Sequence, residues 1–238
     1  RRFIPLKKRT PKSPPSNQTL VKKLLLTFTV AALANGAEAG DWPGFRGPLG
    51  NGVSDEVGLP VALDAKKHIA WRIDLPGRGL SSPLVVGDRV FVTASGGTRQ
   101  DRLQILCLNA ADGNLAWKYR PGPDDRRIPG NERMVSMWPV RTSVLVRKGV
   151  AYCGAGVFPW EGVYLCALDT SSGRELWKTG MKNLPAQGYL LASSTRLYVT
   201  TGRERPVIFD SRSGRQLYQV TGGGGGTYAL ITGDMLVY

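Results

Sequence analysis

Short apolar runs broken by polar turns fill the chain from residue 82 onward, and no stretch carries a helical spacing of apolar positions long enough to compete. Ser82–Thr93, Thr142–Cys153 and Leu190–Thr200 each read as a β-rich run, a short polar turn and a second β-rich run. A fourth stretch of the same kind occupies Tyr228–Tyr238. After each of the first three comes a segment that aligns with the others without gaps: Cys107–Trp117, Ala167–Trp177 and Ile208–Tyr218. Asn109, Asp169 and Asp210 share one column, Gly113, Gly173 and Gly214 a second, and Trp117, Trp177 and Tyr218 a third.

Each column has a physical reason. An apolar strand ends at the Asn or Asp, whose side chain bonds the backbone two residues on and starts a turn. The glycine supplies a positive φ, and a returning strand brings the aromatic inward as a large apolar anchor. Each unit therefore predicts four short antiparallel strands. The anchors Trp71, Trp117, Trp177 and Tyr218 lie 46, 60 and 41 residues apart, near the roughly 40 to 50 residues of a propeller blade. One flat sheet of that many strands would leave long open edges, whereas blades arranged radially bury both faces. The predicted fold is all-β, a β-propeller of four-stranded antiparallel blades.

The run Ala167-x-Asp169-x-x-x-Gly173-x-x-x-Trp177 resembles the tryptophan-docking motif of pyrroloquinoline quinone (PQQ)-type propellers, in which each Trp wedges between neighbouring blades. The other copies drift, with Cys107 and Asn109 replacing Ala and Asp in one, and Ile208 and Tyr218 replacing Ala and Trp in the other. The resemblance covers residues 69–238. Ahead of it, Asp41–Gly52 resembles the arm that opens many exported PQQ-repeat proteins of planctomycete-type bacteria. The family implies a ring of seven or eight blades, of which this chain supplies about three and a half. Ala70–Leu75 reads as an outer strand that completes the last blade and closes the ring.

In the PQQ dehydrogenases the resemblance further implies a quinone on the propeller axis, a Ca²⁺ or lanthanide ion held by carboxylate and amide oxygens, a catalytic Asp and often a vicinal cysteine ring. The chain has no vicinal cysteines and no acidic cluster that aligns with those ligands. No cofactor, metal ligand or catalytic residue is expected, and PQQ with Ca²⁺ enters only under the alternative of an alcohol or sugar dehydrogenase. The first reading is a non-catalytic binding scaffold.

Charge refines this picture at the front of the chain. The formal net charge is +14, but half of it lies in residues 1–40, where eight Lys/Arg meet one acid. The remainder has no run of like charges, so nucleic acid is not an expected partner. Lys22-Lys23, the apolar stretch Leu24–Ala34 and Ala37–Ala39 have the three parts of a secretory signal peptide, with cleavage expected after Ala39. That apolar stretch is too short for a membrane span, so a periplasmic or secreted protein with no transmembrane span after cleavage is expected. The division expected is 1–39 extension and signal peptide, 40–68 arm, and 69–238 propeller, incomplete at its C-terminus. Export permits a disulfide, but the spacing of Cys107, Cys153 and Cys166 does not choose a pair.

Loops supply the candidate site. In a four-stranded blade, the second-to-third connection and the link to the next blade emerge on one face. That face gathers the insertion Pro121–Pro139 and the connection Ala155–Glu161, with Arg126, Arg127, Arg133, Trp138, Arg141 and Trp160. A guanidinium beside an indole holds a carboxylate, a sulfate or a sugar, which fits an envelope protein or a small anionic or sugar ligand as partner. In the other reading these arginines pair with Asp124, Asp125, Glu132 and Glu161 while the tryptophans cap the core.

Overall fold

The computed structural model describes residues 40–238 except 65, 78–80, 97–101, 131, 182 and 233–234. The expected signal peptide lies outside the described residues. Two compact units form. Among the described residues the first holds Gly40 and 56–70, where Gly40 N donates to Glu56 Oε1 at 2.5 Å and the amides of Lys67 and His68 close a turn on the Asp64 carbonyl. The second holds 41–55 and 71–238, so residues 41–55 of the expected arm group with the blades.

The repeats fold as the alternation predicts. β1 (Leu84–Val86), β2 (Arg89–Gly96), β3 (Arg102–Asn109) and β4 (Leu115–Tyr119) make the first antiparallel meander. β7 (Leu145–Arg147), β8 (Val150–Ala155), β9 (Val163–Asp169) and β10 (Glu175–Met181) make the second. β11 (Leu191–Ala192), β12 (Arg196–Val199), β13 (Val207–Asp210) and β14 (Gln216–Gln219) make the third, and β15 (Leu230–Thr232) with β16 (Met235–Val237) form a further hairpin. Period-two alternation gives every sheet two apolar faces, and these meet between blades. Phe91, Ile105 and Cys107 of the first blade pack against Ala151, Cys153 and Leu168 of the second. The opposite face of the second blade, with Tyr152, Leu165 and Ala167, packs against Leu197, Val199 and Phe209 of the third.

The blades converge on their first strands. Thr142 and Gly188 form a parallel bridge, Ser143 N donates to Gly188 O at 3.1 Å, and Tyr189 N donates to Thr227 O at 3.1 Å, so the leads into β7, β11 and β15 are stitched together directly. The arm runs along these inner edges. Trp42 pairs with Val85, Val146 N donates to the Pro43 carbonyl, and Phe45 stacks on Tyr189 with ring centroids 4.3 Å apart. Unpaired inner edges are thereby covered.

One expectation needs correction. The insertion 121–139 contains a hairpin, β5 (Arg127–Gly130) with β6 (Arg133–Ser136), where the sequence reading saw only loop. Its register, continued by Met137 N donating to Arg126 O, turns the backbone of residues 127 and 129 outward. Pro129 has no N–H, so this edge is blunted against further pairing. Residues 70–75 carry no ladder pairing among the described residues, and Trp71 and Leu75 lie against the apolar face of the first blade, over Val90, Val92, Ala94, Leu106 and Leu108.

Candidate functional site

The repeated motif builds one socket three times. In each copy the glycine has positive φ (Gly113 75°, Gly173 72°, Gly214 68°), and its N–H closes back on the carbonyl of Asn109, Asp169 or Asp210 at 2.8–2.9 Å. The aromatic of the preceding unit lies flat on that glycine: a Cβ at Gly113 would stand 2.5 Å from the Trp71 ring, and one at Gly173 would stand 2.6 Å from Trp117. Gly214 holds Trp177 in the same way. Each indole N–H then donates to the carbonyl just after the Asn or Asp: Trp71 to Ala110 at 2.8 Å, Trp117 to Thr170 at 2.9 Å, and Trp177 to Ser211 at 3.1 Å. A β-bulge precedes each aromatic in β4, β10 and β14, and the residue directly across the ladder is Cys107, Ala167 or Ile208, the drifting first column of the motif. Tyr218 is 48% exposed, with Arg196 Nη1 donating to its hydroxyl at 3.2 Å.

The acidic column behaves as expected in two copies. Asp169 Oδ1 accepts from the amides and hydroxyls of Ser171 and Ser172, which hold its carboxyl down at about 2. Asp210 is likewise lowered, first by the Ser213 hydroxyl and then by the Ser213 amide. Asn109 departs, because its side-chain oxygen is taken by Arg89 Nη1 at 2.9 Å, and Asp112 accepts from the Asn114 amide in its place.

The loop face is organised around Trp138. The sequence reading offered this indole to a ligand, but it is only 1% exposed and its N–H donates to Gly162 O at 3.1 Å. It therefore presents no open ring. Together with Met137 N to Arg126 O, Val157 N to Met137 O and Gly156 N to Pro139 O, it locks the 121–139 insertion to the 156–162 connection. Arg126 lies over the Trp138 ring at 4.9 Å, with Nε 3.1 Å from Asp124 and Nη1 3.5 Å from Glu161. Arg127 opens β5, and Arg133 opens β6 with its side chain outside the described residues. Trp160 is 74% exposed, stacked on Phe158 with centroids 4.8 Å apart. The sequence reading missed Phe158, although its place two residues before Trp160 in a Pro-containing turn is visible there.

Arg141 belongs to another neighbourhood. Its Nη2 donates to Gln187 Oε1 at 2.9 Å, and it lines a cavity of about 360 Å³ among the converging first strands, with Ser81, Thr93, Thr142, Thr227 and the Phe45 ring. Phe45 and Tyr189 also line a more apolar space of about 270 Å³ bounded by the arm.

Cys153 and Cys166 stand opposite each other in the second blade, in the buried layer that also holds Cys107. Thr170 N donates to Gly149 O, so alternation down the ladder makes 153/166 a hydrogen-bonded pair. Such pairs hold their Cβ atoms wider than the roughly 3.5–4.5 Å of a disulfide. The two thiols pack as hydrogen-bonded neighbours, Cys166 lowered by the Cys153 contact and Cys153 raised by it.

The quinone and metal implied by the dehydrogenase resemblance require oxygen ligands including carboxylates. The cavity between the first strands is lined by hydroxyls, one amide and one guanidinium, with no carboxylate. Among the described residues no three His, Cys, Asp or Glu side chains are grouped to hold a metal. These donors do not fit that pair of groups, and no step is derived through them. No described helix is long and apolar enough to cross a membrane.

The family model described as outer membrane protein assembly factor BamB matches residues 52–149 and 136–238. An assembly factor of that name from Alkalilimnicola ehrlichii is 33% identical over 142 residues, which cover 60% of this chain and 32% of that protein. A polyvinylalcohol dehydrogenase from Sphingopyxis is 27% identical over 149 residues, covering 62% of this chain and 20% of the relative. The chain thus spans about a third or less of the length of these relatives. The crystal structure of a quinohemoprotein alcohol dehydrogenase from Comamonas testosteroni superposes with a TM-score of 0.53 at 19% identity, over 79% of this chain and 28% of that one. That likeness concerns the fold.

Proposed function

The chain belongs to the family described as outer membrane protein assembly factor BamB, and on that premise we propose that it is an exported, non-catalytic scaffold that binds a protein of the cell envelope through its loop face. The observation that carries this reading is the tying of the 121–139 insertion to the 156–162 connection by the buried Trp138 and the backbone hydrogen bonds around it. Long insertions that are ordered and spend an indole on their own support are more often functional than slack. The relative named as an outer membrane assembly factor supports a protein partner.

The test is co-purification from envelope extracts after in vivo cross-linking. Arg126→Ala with Arg127→Ala should reduce the cross-linked partner while leaving the thermal midpoint in place, since both side chains are exposed. An unchanged partner profile removes the loop face as the contact surface. Trp138 is unsuited to this test because its loss would damage the core. Dye reduction by the chain incubated with PQQ and Ca²⁺ in the presence of an alcohol would overturn the non-catalytic reading.

A further inference from the structure

We propose that the Phe158–Trp160 pair is a binding platform for an uncharged glycan, with one pyranose ring laid flat on the open face of Trp160. Trp160 is the most exposed aromatic among the described residues, and its exposure is built rather than frayed. The short 3₁₀ turn Pro159–Glu161 fixes it: Glu161 N donates to Phe158 O at 3.1 Å and Gly162 N to Pro159 O at 3.3 Å. Gly162, at φ 101°, has a conformation that a residue with a Cβ resists, and its carbonyl is held by Trp138. Phe158 covers one side of the indole at an interplanar angle of 25° and leaves the other to solvent.

The surroundings narrow the ligand. A protein contact of ordinary size buries about 800 Å² per partner around an apolar centre. Here a single indole face stands beside polar edges, the Glu161 carboxylate next in sequence and Arg126, which bridges Glu161 and Asp124. A pyranose matches that arrangement: its C–H face carries slight positive charge against the negative ring face, and its hydroxyls meet carboxylate and guanidinium at the rim. A stacked nucleobase would bring phosphates. Arg120, Arg126 and Arg127 are offset by Asp124, Asp125 and Glu161, so the site has no net positive field to receive them.

The inference goes beyond protein docking and is tested apart from it, on the purified full chain with no partner present. N-acetylchitohexaose and cellohexaose are titrated by calorimetry, with a polyanionic oligosaccharide and a single-stranded oligonucleotide as counter-probes. Saturable binding of a neutral oligosaccharide is expected, weakened at least about tenfold in Trp160→Ala and largely kept in Trp160→Phe. Both variants should keep the parent's thermal midpoint and far-ultraviolet spectrum, because Trp160 is 74% exposed and its stacking partner Phe158 lies outside the buried core. The proposal falls if neither sugar binds at about 10 mM, if Trp160→Ala binds as well as the parent, or if the charged probes bind more tightly through Trp160. Failure here leaves protein docking standing, and an unchanged partner profile in the Arg126/Arg127 variant leaves the glycan site standing.

Discussion

Removing Trp117 measures what a docking ring contributes. The side chain is 9% exposed, lies flat on Gly173, meets Phe91 edge-on at 5.8 Å and donates to Thr170 O. A buried Trp removes roughly 150–250 Å² from water, worth about 4–6 kcal/mol at about 25 cal/mol per Å². Compactness of the denatured chain trims such figures by roughly 10–40%. Trp117→Ala should therefore cost about 3–5 kcal/mol, the range found for other buried aromatic truncations. Because each blade contacts only its neighbours, the damage should fall on the seam between the first two blades. Guanidinium unfolding followed by far-ultraviolet signal should show an earlier, broader transition. Tyr218→Ala is the control: the same motif column, but 48% exposed, so a loss under about 1 kcal/mol is expected. If Trp117→Ala also loses less than about 1 kcal/mol, or if the two variants lose equal amounts, the socket geometry is not what holds the blades together.

Gly173→Ala should destabilise more than Gly87→Ala, since both have positive φ but only Gly173 has a ring 2.6 Å from the new Cβ; equal thermal midpoints would refute this. Asp169 should titrate near 2 in the folded chain. Its depressed value means that its contribution to stability is complete above the ordinary carboxylate value of 3.8 and is lost as pH falls through about 2; a carboxyl NMR midpoint near 4 would contradict the serine contacts. Cys107, Cys153 and Cys166 are all fully buried, and burial pushes Cys107 up to about 12, so iodoacetamide at pH 8 should find no accessible thiol in the folded chain and label all three cysteines after denaturation. Incubation with glutathione disulfide should leave the mass free of the 2 Da loss of a Cys153–Cys166 bond; finding that bond would show that the ladder can close to disulfide spacing.

What the sequence revealed was whatever repeats locally. Three copies in register carry the turn glycine, the Asx residue and the aromatic, because each acts within a dozen residues of itself. The bulge before Trp117, Trp177 and Tyr218 was hidden, since it appears only when one strand is laid against another. Asn109 looked like a drifted turn residue and proved to be a partner for Arg89, twenty positions away. Of the candidate site, the clustering of the two insertions was legible from loop order. The different fates of its tryptophans were not: Trp138 and Trp160 carry the same side chain near a proline, and only the packing of Ile128, Val140 and Tyr164 against one of them takes it out of solvent.

The sockets all point the same way along the chain. Trp71, Trp117 and Trp177 reach carbonyls 39, 53 and 34 residues downstream, so each indole emerges during synthesis before its seat exists. A growing chain therefore always presents one bare aromatic at its leading edge, which the next few dozen residues must cover. Assembly is directional, and any pause in synthesis between an indole and its glycine holds a sticky surface open to whatever chaperone or neighbour is nearest.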